Sequence, residues 1–229
     1  VLVDCWQEHT KVKSWLNKSS DKRIAIWKRR AWTLRARMLV FVQQMLFYAT
    51  AEVIEPNWQK LMAEVDDTQM ADMHPSITTS GAQRTRRTVD ELMQDHLDML
   101  DSCMKDLGLT QGKLLKIHAK MMQGCTLFAE YTANLSRSLY SADPDLAGTN
   151  PPGQINSRQT STSSTTEHDP SRVTRMEETL KKYEDHFNHH LRILIDSLNY
   201  YAATETVVLL GLCARLTNAE VQKRDDLLL

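Results

Sequence analysis

The sequence predicts an all-α fold, an elongated helical bundle with a long disordered insertion before its final long helix. Three observations carry that reading. Glycine (7) and proline (6) are scarce in 229 residues, whereas a sandwich or barrel needs a turn at about every 8–12 positions. Apolar residues recur at three- and four-residue steps over long stretches, the period of a helix face. Strand-length alternation with turn chemistry beside it does not occur in the sequence. Hydrophobic residues at 41% and charged residues at 25% are ordinary globular values. The formal charge of −1 argues against a chain that binds nucleic acid over its whole surface.

The chain opens in mid-pattern without an initiator methionine, as expected of a piece of a longer protein. Leu2, Cys5, Trp6, His9, Val12 and Trp15 read as one amphipathic helix, and Asp4, Glu8 and Lys11 interrupt any signal-peptide pattern in these residues. A basic connector is expected next. Between Lys11 and Arg37 stand ten basic residues and one acidic residue, Asp21, interleaved with Trp15, Trp27 and Trp32. Such a run fits a solvated connector, a contact for nucleic acid or anionic membrane, or a surface for an acidic protein. The near-neutral remainder favours the acidic protein among the functional options.

From Thr33 to Val65, Leu34, Met38, Phe41, Val42, Met45, Leu46, Ala49, Val53, Leu61 and Met62 form one wide apolar helix face. Pro56 removes a backbone donor and crowds the preceding turn, so a kink or short break is expected there. Asp66 to Thr88 is polar, holds Pro75 and Gly81, and reads as a loop. Thr88 with Glu91 has the spacing of a capping box, and a second helix follows. Its apolar face, Val89, Leu92, Met93, Leu97, Leu100, Met104 and Leu107, is assigned to the core, and Gly108 closes it as a C′ glycine. Thr110 is a weaker cap for a third helix striped by Leu114, Ile117, Met121, Cys125, Phe128, Leu135 and Leu139.

Ser141 to Ser171 is rich in Ser, Thr, Asn and Pro and poor in large apolar residues. It cannot bury enough surface to offset its ordering entropy. The last helix, Val173 to Leu216, carries Met176, Leu180, Phe187, Leu191, Leu194, Leu198, Leu212 and Leu216, with a break expected near Ala203 to Glu205. The organisation is therefore a bundle over 1–140, a disordered insertion over 141–171, the final helix or helices of the same bundle over 172–217, and a frayed tail over 218–229.

Cys5, Cys103, Cys125 and Cys213 have no short spacing, which argues for reduced thiols over a disulfide framework or zinc ribbon. No stretch reaches 18 consecutive apolar residues. Phosphate-loop, Gly-x-Gly-x-x-Gly, Gly-x-Ser-x-Gly and Cys-x-x-Cys motifs do not occur. His186 and His190 lie four apart and could chelate one ion, but neither an intervening base nor a third ligand is evident. The structural reading of these histidines, of His96 and His118, and of Asp95, Asp98 and Asp101 on a polar helix side is preferred. The many methionines on the apolar stripes read as adaptable core, with a binding groove as the minority option.

Several segments resemble the gamma-tubulin complex component family, in its C-terminal gamma-tubulin-binding domain. The first is Leu34-Arg35-Ala36-Arg37-Met38-Leu39-Val40-Phe41-Val42, continuing to Glu52-Val53-Ile54-Glu55-Pro56-Asn57-Trp58. The second is Val89-Asp90-Glu91-Leu92, followed by Asp95-His96-Leu97-Asp98-Met99-Leu100-Asp101-Ser102-Cys103-Met104-Lys105-Asp106 and by Leu114-Leu115-Lys116. The order and spacing of these segments are more specific than any one of them, and are most like the component 2 branch in a fungal form. The loop Asp66 to Thr88 is longer than the family's usual joint, and the Ala214-Arg215-Leu216-Thr217-Asn218 tail lacks the family's common ending.

The resemblance implies a binding module with no catalytic residues, no cofactor and no metal. It would hold gamma-tubulin within a microtubule-nucleating complex at organising centres such as the spindle pole body, alongside other gamma-tubulin complex components, with no small-molecule substrate, nucleic acid or membrane as partner. The candidate contact residues are Arg35, Arg37, Glu52, Glu55, Asn57, Trp58, Asp95 and His96. The alternative is a helical scaffold that binds nucleic acid or anionic membrane through residues 11–37. Zinc chemistry at His186 and His190 ranks third.

Overall fold

The computed structural model describes residues 19–73, 88–142, 170–204 and 208–225, and among these no residue is in a strand. The fold is all-α. Helix α1 spans Lys22–Phe47, a π-helical stretch follows at Tyr48–Ile54, and α2 runs Glu55–Met73. Then come α3 (Val89–Asp106), α4 (Gly112–Ala142), α5 (Pro170–Thr204) and α6 (Leu209–Asp225). The expected amphipathic helix over residues 2–15 and the insertion at 141–171, apart from its ends, lie outside the described residues.

The described residues divide into two compact units. The first takes residues up to Val42 together with Ile117–Leu194; the second takes Gln43–Lys116 and residues from Ile195 onward. In the first, Trp27, Leu34, Met38 and Phe41 from α1 are buried with Met121, Cys125 and Phe128 from α4 and Leu180, Phe187 and Leu194 from α5. The Trp27 indole N–H donates to the Met176 carbonyl at 3.0 Å, so its one polar atom is satisfied inside the core. Phe41 meets Phe187 edge-on, and Phe128 meets Tyr183 likewise. Gly124 of α4 sits under His186, where a Cβ would come within 3.1 Å of the imidazole.

From Lys22 onward the basic segment is helix where a connector was expected. Asp21, the one acidic residue in that run, accepts from the Arg23 amide at 2.8 Å, and its carbonyl takes the Ala25 amide. That is N-cap chemistry, and α1 starts at once. Helical phase then decides which cations face α5.

In the second unit Tyr48, Val53 and Leu61 are buried with Cys103, Leu198, Leu209, Leu212 and Leu216. The π stretch explains the five-residue step from Tyr48 to Val53. The Glu55 amide bonds to the Thr50 carbonyl, an i→i−5 link, so residues five apart share a side there. Pro56 supplies the cause. It has no amide to give and would crowd the turn before it, and the wider turn relieves both. The expected kink at Pro56 is thus a π stretch just upstream, and α2 continues through it. That helix also runs on to Met73, so Asp66 to Met73 are helical where a loop was expected. Leu46, assigned to the apolar face by simple periodicity, is 62% exposed.

Lys22–Val65 contains an 18-residue window of mean hydropathy 1.2, long and apolar enough to cross a bilayer. Of that window 22% is buried, and Leu34, Met38, Phe41, Tyr48 and Val53 are the core residues of this stretch. A break was expected near Ala203 to Glu205, and α5 ends at Thr204 with α6 beginning at Leu209.

Both ends of α3 are closed as their residues require. Thr88 Oγ1 accepts from the Glu91 amide at 3.2 Å, and the Glu91 carboxylate accepts from the Thr88 amide at 2.8 Å. Gly108 has φ +67; its amide reaches the Lys105 carbonyl and the Leu109 amide reaches that of Met104. These two bonds are a complete Schellman closure.

Candidate protein-binding surface

Most of the described cations of the basic run are committed inside the first unit. Arg23 pairs with Glu177 at 2.6 Å and Arg30 with Glu184 at 2.5 Å. Each guanidinium is bidentate, through its Nε and one Nη. Those carboxylates hold both arginines above their usual range. Lys28 is buried. Arg35 lies over Trp32 at 5.7 Å from the ring centroid, and burial pushes its pKa down. Arg37 covers Phe187 at 5.3 Å. Of the described cations in this run, Lys22, Arg23 and Arg29 are exposed, and Arg23 is already paired with Glu177. Arg35 and Arg37 are accordingly better described as packing within the bundle than as partner contacts.

The other six candidates lie in the second unit. Glu52 is held by Arg215 of α6 in a bidentate pair at 2.7 and 2.8 Å, and the same guanidinium lies 5.4 Å from the Phe47 ring centroid. Asn57 donates from Nδ2 to the Val53 carbonyl at 2.8 Å, which steadies the exit from the π stretch. Asp95 is half-buried. Glu52 and Asn57 thus have structural duties. Glu55, Trp58 and His96 are exposed, Trp58 by 45%. Glu55 accepts from Gln59 Nε2 at 2.9 Å on the same face of α2, and Ile54 beside it is 46% exposed.

Helix α3 packs on α2 and on the π stretch, and Tyr48 donates its hydroxyl to the Asp106 carbonyl at 2.7 Å. Burial, followed by the charges of Asp106 and Glu52, raises that hydroxyl's pKa far above the ordinary tyrosine value. The packed side of α3 is the line Asp95, Met99, Cys103 and Asp106; only Cys103 is fully buried. This corrects the expected core face. Val89 is 75% exposed, Met93 61% and Leu97 52%, with Leu92, Leu100 and Met104 above 40% or close to it. At 3.6 residues per turn the apolar stripe is rotated about a third of a turn away from the packed line. Sequence reasoning missed this surface, because periodicity identifies a stripe without saying whether the same chain covers it.

His186 and His190 stack with centroids 4.2 Å apart, and His190 Nδ1 lies 3.0 Å from the His186 carbonyl. Desolvation, then His190, His189 and Lys120, pushes the His186 pKa down. Among the described residues no group of three or more His, Cys, Asp or Glu is placed to hold a metal. Cys103, Cys125 and Cys213 are buried free thiols, and burial drives Cys125 up to about 12.

Buried seams, ion pairs between helices and an apolar face turned outward define an all-α helical bundle. The family model for the gamma tubulin complex component C-terminal region matches residues 1–220, and the chain belongs to that family. It is 39% identical over 216 residues to the spindle pole body component alp4 of Schizosaccharomyces pombe, covering 94% of this chain and 23% of that protein. It is 26% identical over 211 residues to gamma-tubulin complex component 2 of Mus musculus, covering 83% and 21%. With component 2 of Arabidopsis thaliana it shares 30% identity over 131 residues, covering 57% and 16%. The likeness to the component 2 branch and to a fungal relative is the one expected from the sequence. The chain spans less than a quarter of the length of these relatives.

Proposed function

We propose that this chain is the gamma-tubulin-binding part of a microtubule-nucleating complex subunit. It acts as a scaffold that holds gamma-tubulin so that microtubules are templated at an organising centre such as the spindle pole body, with other gamma-tubulin complex components as its neighbours. The observation that carries this reading is the family match across residues 1–220, supported by a spindle pole body relative at 39% identity. The task asks for no chemistry from the chain: stiff helices present a surface, and binding selects the partner's orientation.

Within that reading the contact rests on the exposed candidates. Trp58, with Ile54 and Glu55 on adjoining positions, is an aromatic anchor of the kind that dominates protein interfaces, and His96 on α3 is a further contact. Glu52, Asn57, Arg35, Arg37 and Asp95 serve by holding the bundle in shape.

The test is capture of purified gamma-tubulin by the immobilised chain, with circular dichroism confirming its helicity. Capture that falls about tenfold or more in Trp58→Ala supports the reading. A folded chain that captures none overturns it.

A further inference from the structure

We propose that the outward face of α3 is a docking surface for a second amphipathic helix that carries lysine or arginine along its flank. Val89, Met93, Leu97, Leu100 and Met104 form one stripe, about 22 Å long at 1.5 Å per residue. Four turns of facing helix match that length. The helix is fixed at both ends by the Thr88–Glu91 box and the Gly108 closure, so the stripe is presented without an ordering cost. An apolar row this long, left in water on a packed helix, marks an interaction site.

Charge chooses the occupant. Asp90 and Asp101 border the stripe on its free side, and Asp98 stands one position behind them, bonded to Gln94 at 2.8 Å. Across the whole helix six carboxylates face one lysine, Lys105, for a net charge of −5 with His96 neutral. An anionic membrane or an acidic flank brought onto this row meets like charge and is repelled; a basic flank meets its complement. Met93 and Met104 add unbranched, polarizable side chains that adapt to the knobs of a facing helix. The arrangement is the helix-on-apolar-face mode of recognition with a polar rim. It does not depend on the gamma-tubulin reading.

The experiment uses the 229-residue chain and two synthetic 18-residue helical peptides. One has leucine at three- and four-residue steps with lysine elsewhere; the other has glutamate in place of lysine. The lysine peptide binds with a micromolar Kd, the glutamate peptide about thirtyfold more weakly, and amide exchange slows within residues 89–106. Met93→Gln with Leu97→Gln lowers lysine-peptide affinity about thirtyfold at an unchanged thermal midpoint. Asp98→Lys with Asp101→Lys reverses the preference, so that the glutamate peptide binds better.

Equal binding of the two peptides, affinity that survives Met93→Gln/Leu97→Gln, or protection outside 89–106 overturns the proposal. So does a stripe that is already protected in the free chain, whether at every concentration or only where the chain self-associates. Preference for phosphatidylserine vesicles over the lysine peptide overturns it as well. Gamma-tubulin capture by the Met93→Gln/Leu97→Gln variant, measured beside Trp58→Ala, separates this proposal from the functional one.

Discussion

Arg215 on α6 grips Glu52 of the π stretch through two hydrogen bonds, 2.7 and 2.8 Å long. With side chains about 30% exposed, the pair is neither a solvated surface contact nor a dry core one. Its two-point geometry is the strong form of an ion pair, and the same guanidinium shelters the Phe47 ring. A double-mutant cycle with Arg215→Met and Glu52→Gln is expected to give a coupling of about 1 kcal/mol, reduced by 1 M salt. A coupling indistinguishable from zero at low salt would show that the pair contributes geometry alone.

The closure of α3 is open to a sharper test. Gly108 has φ +67, and a Cβ there would meet Leu114 Cδ2 at 2.5 Å. Gly108→Ala therefore carries both the left-handed penalty of about 1–2 kcal/mol and a clash with a buried side chain. Gly108→Asn relieves only the first. Thr88→Ala, which removes one half of the capping box, costs about 1 kcal/mol. Urea denaturation should rank Gly108→Ala as the more damaging; the reverse order would contradict the closure described.

Acid should weaken the first unit through His118. Burial pushes its pKa from 6.5 to about 4, so the fold prefers the neutral ring. Above pH 6.5 both folded and unfolded chains hold it neutral, and the stability is fully present. Between 6.5 and 4 only the unfolded chain takes up the proton, and stability falls by roughly 1.4 kcal/mol per pH unit. His118→Gln should flatten the pH dependence of the urea midpoint over that window while leaving a smaller slope from His186, which is shifted in the same direction. An identical slope in the variant would exclude His118 as the source.

Trp58 separates stability from binding. Its ring is 45% exposed, so Trp58→Ala should change the unfolding free energy by no more than about 0.5 kcal/mol. The loss expected in gamma-tubulin capture then has no folding explanation. A large drop in stability would instead make the tryptophan a structural plug beside Pro56.

Where local chemistry decides structure, the sequence is legible. Thr88 with Glu91, and Gly108, name the ends of α3 because a cap and a left-handed closure depend on a handful of adjacent residues. The helical class follows from apolar spacing for the same reason. Three features escape such reading, each because it depends on residues far away. The cations of α1 look like a free patch until Glu177 and Glu184 arrive from α5 to meet Arg23 and Arg30. The stripe of α3 looks like core until Asp95, Met99 and Cys103 prove to be the packed line. Of the candidate contacts, Glu52 and Asn57 carry no mark that distinguishes a partner's residue from an internal brace; only Arg215 and the Val53 carbonyl reveal that they are braces.

The wide turn ahead of Pro56 sets a rotational offset for everything downstream. Its extra residue is absorbed in place, so Val53 and Leu61 stay inward while Ile54 and Trp58 are dealt to the outside. What this part of the surface displays is consequently decided by how many residues lie between Phe47 and Pro56 as much as by which ones they are. A relative shorter or longer by a single position there would show its partners a different set of side chains, even with every neighbouring letter preserved.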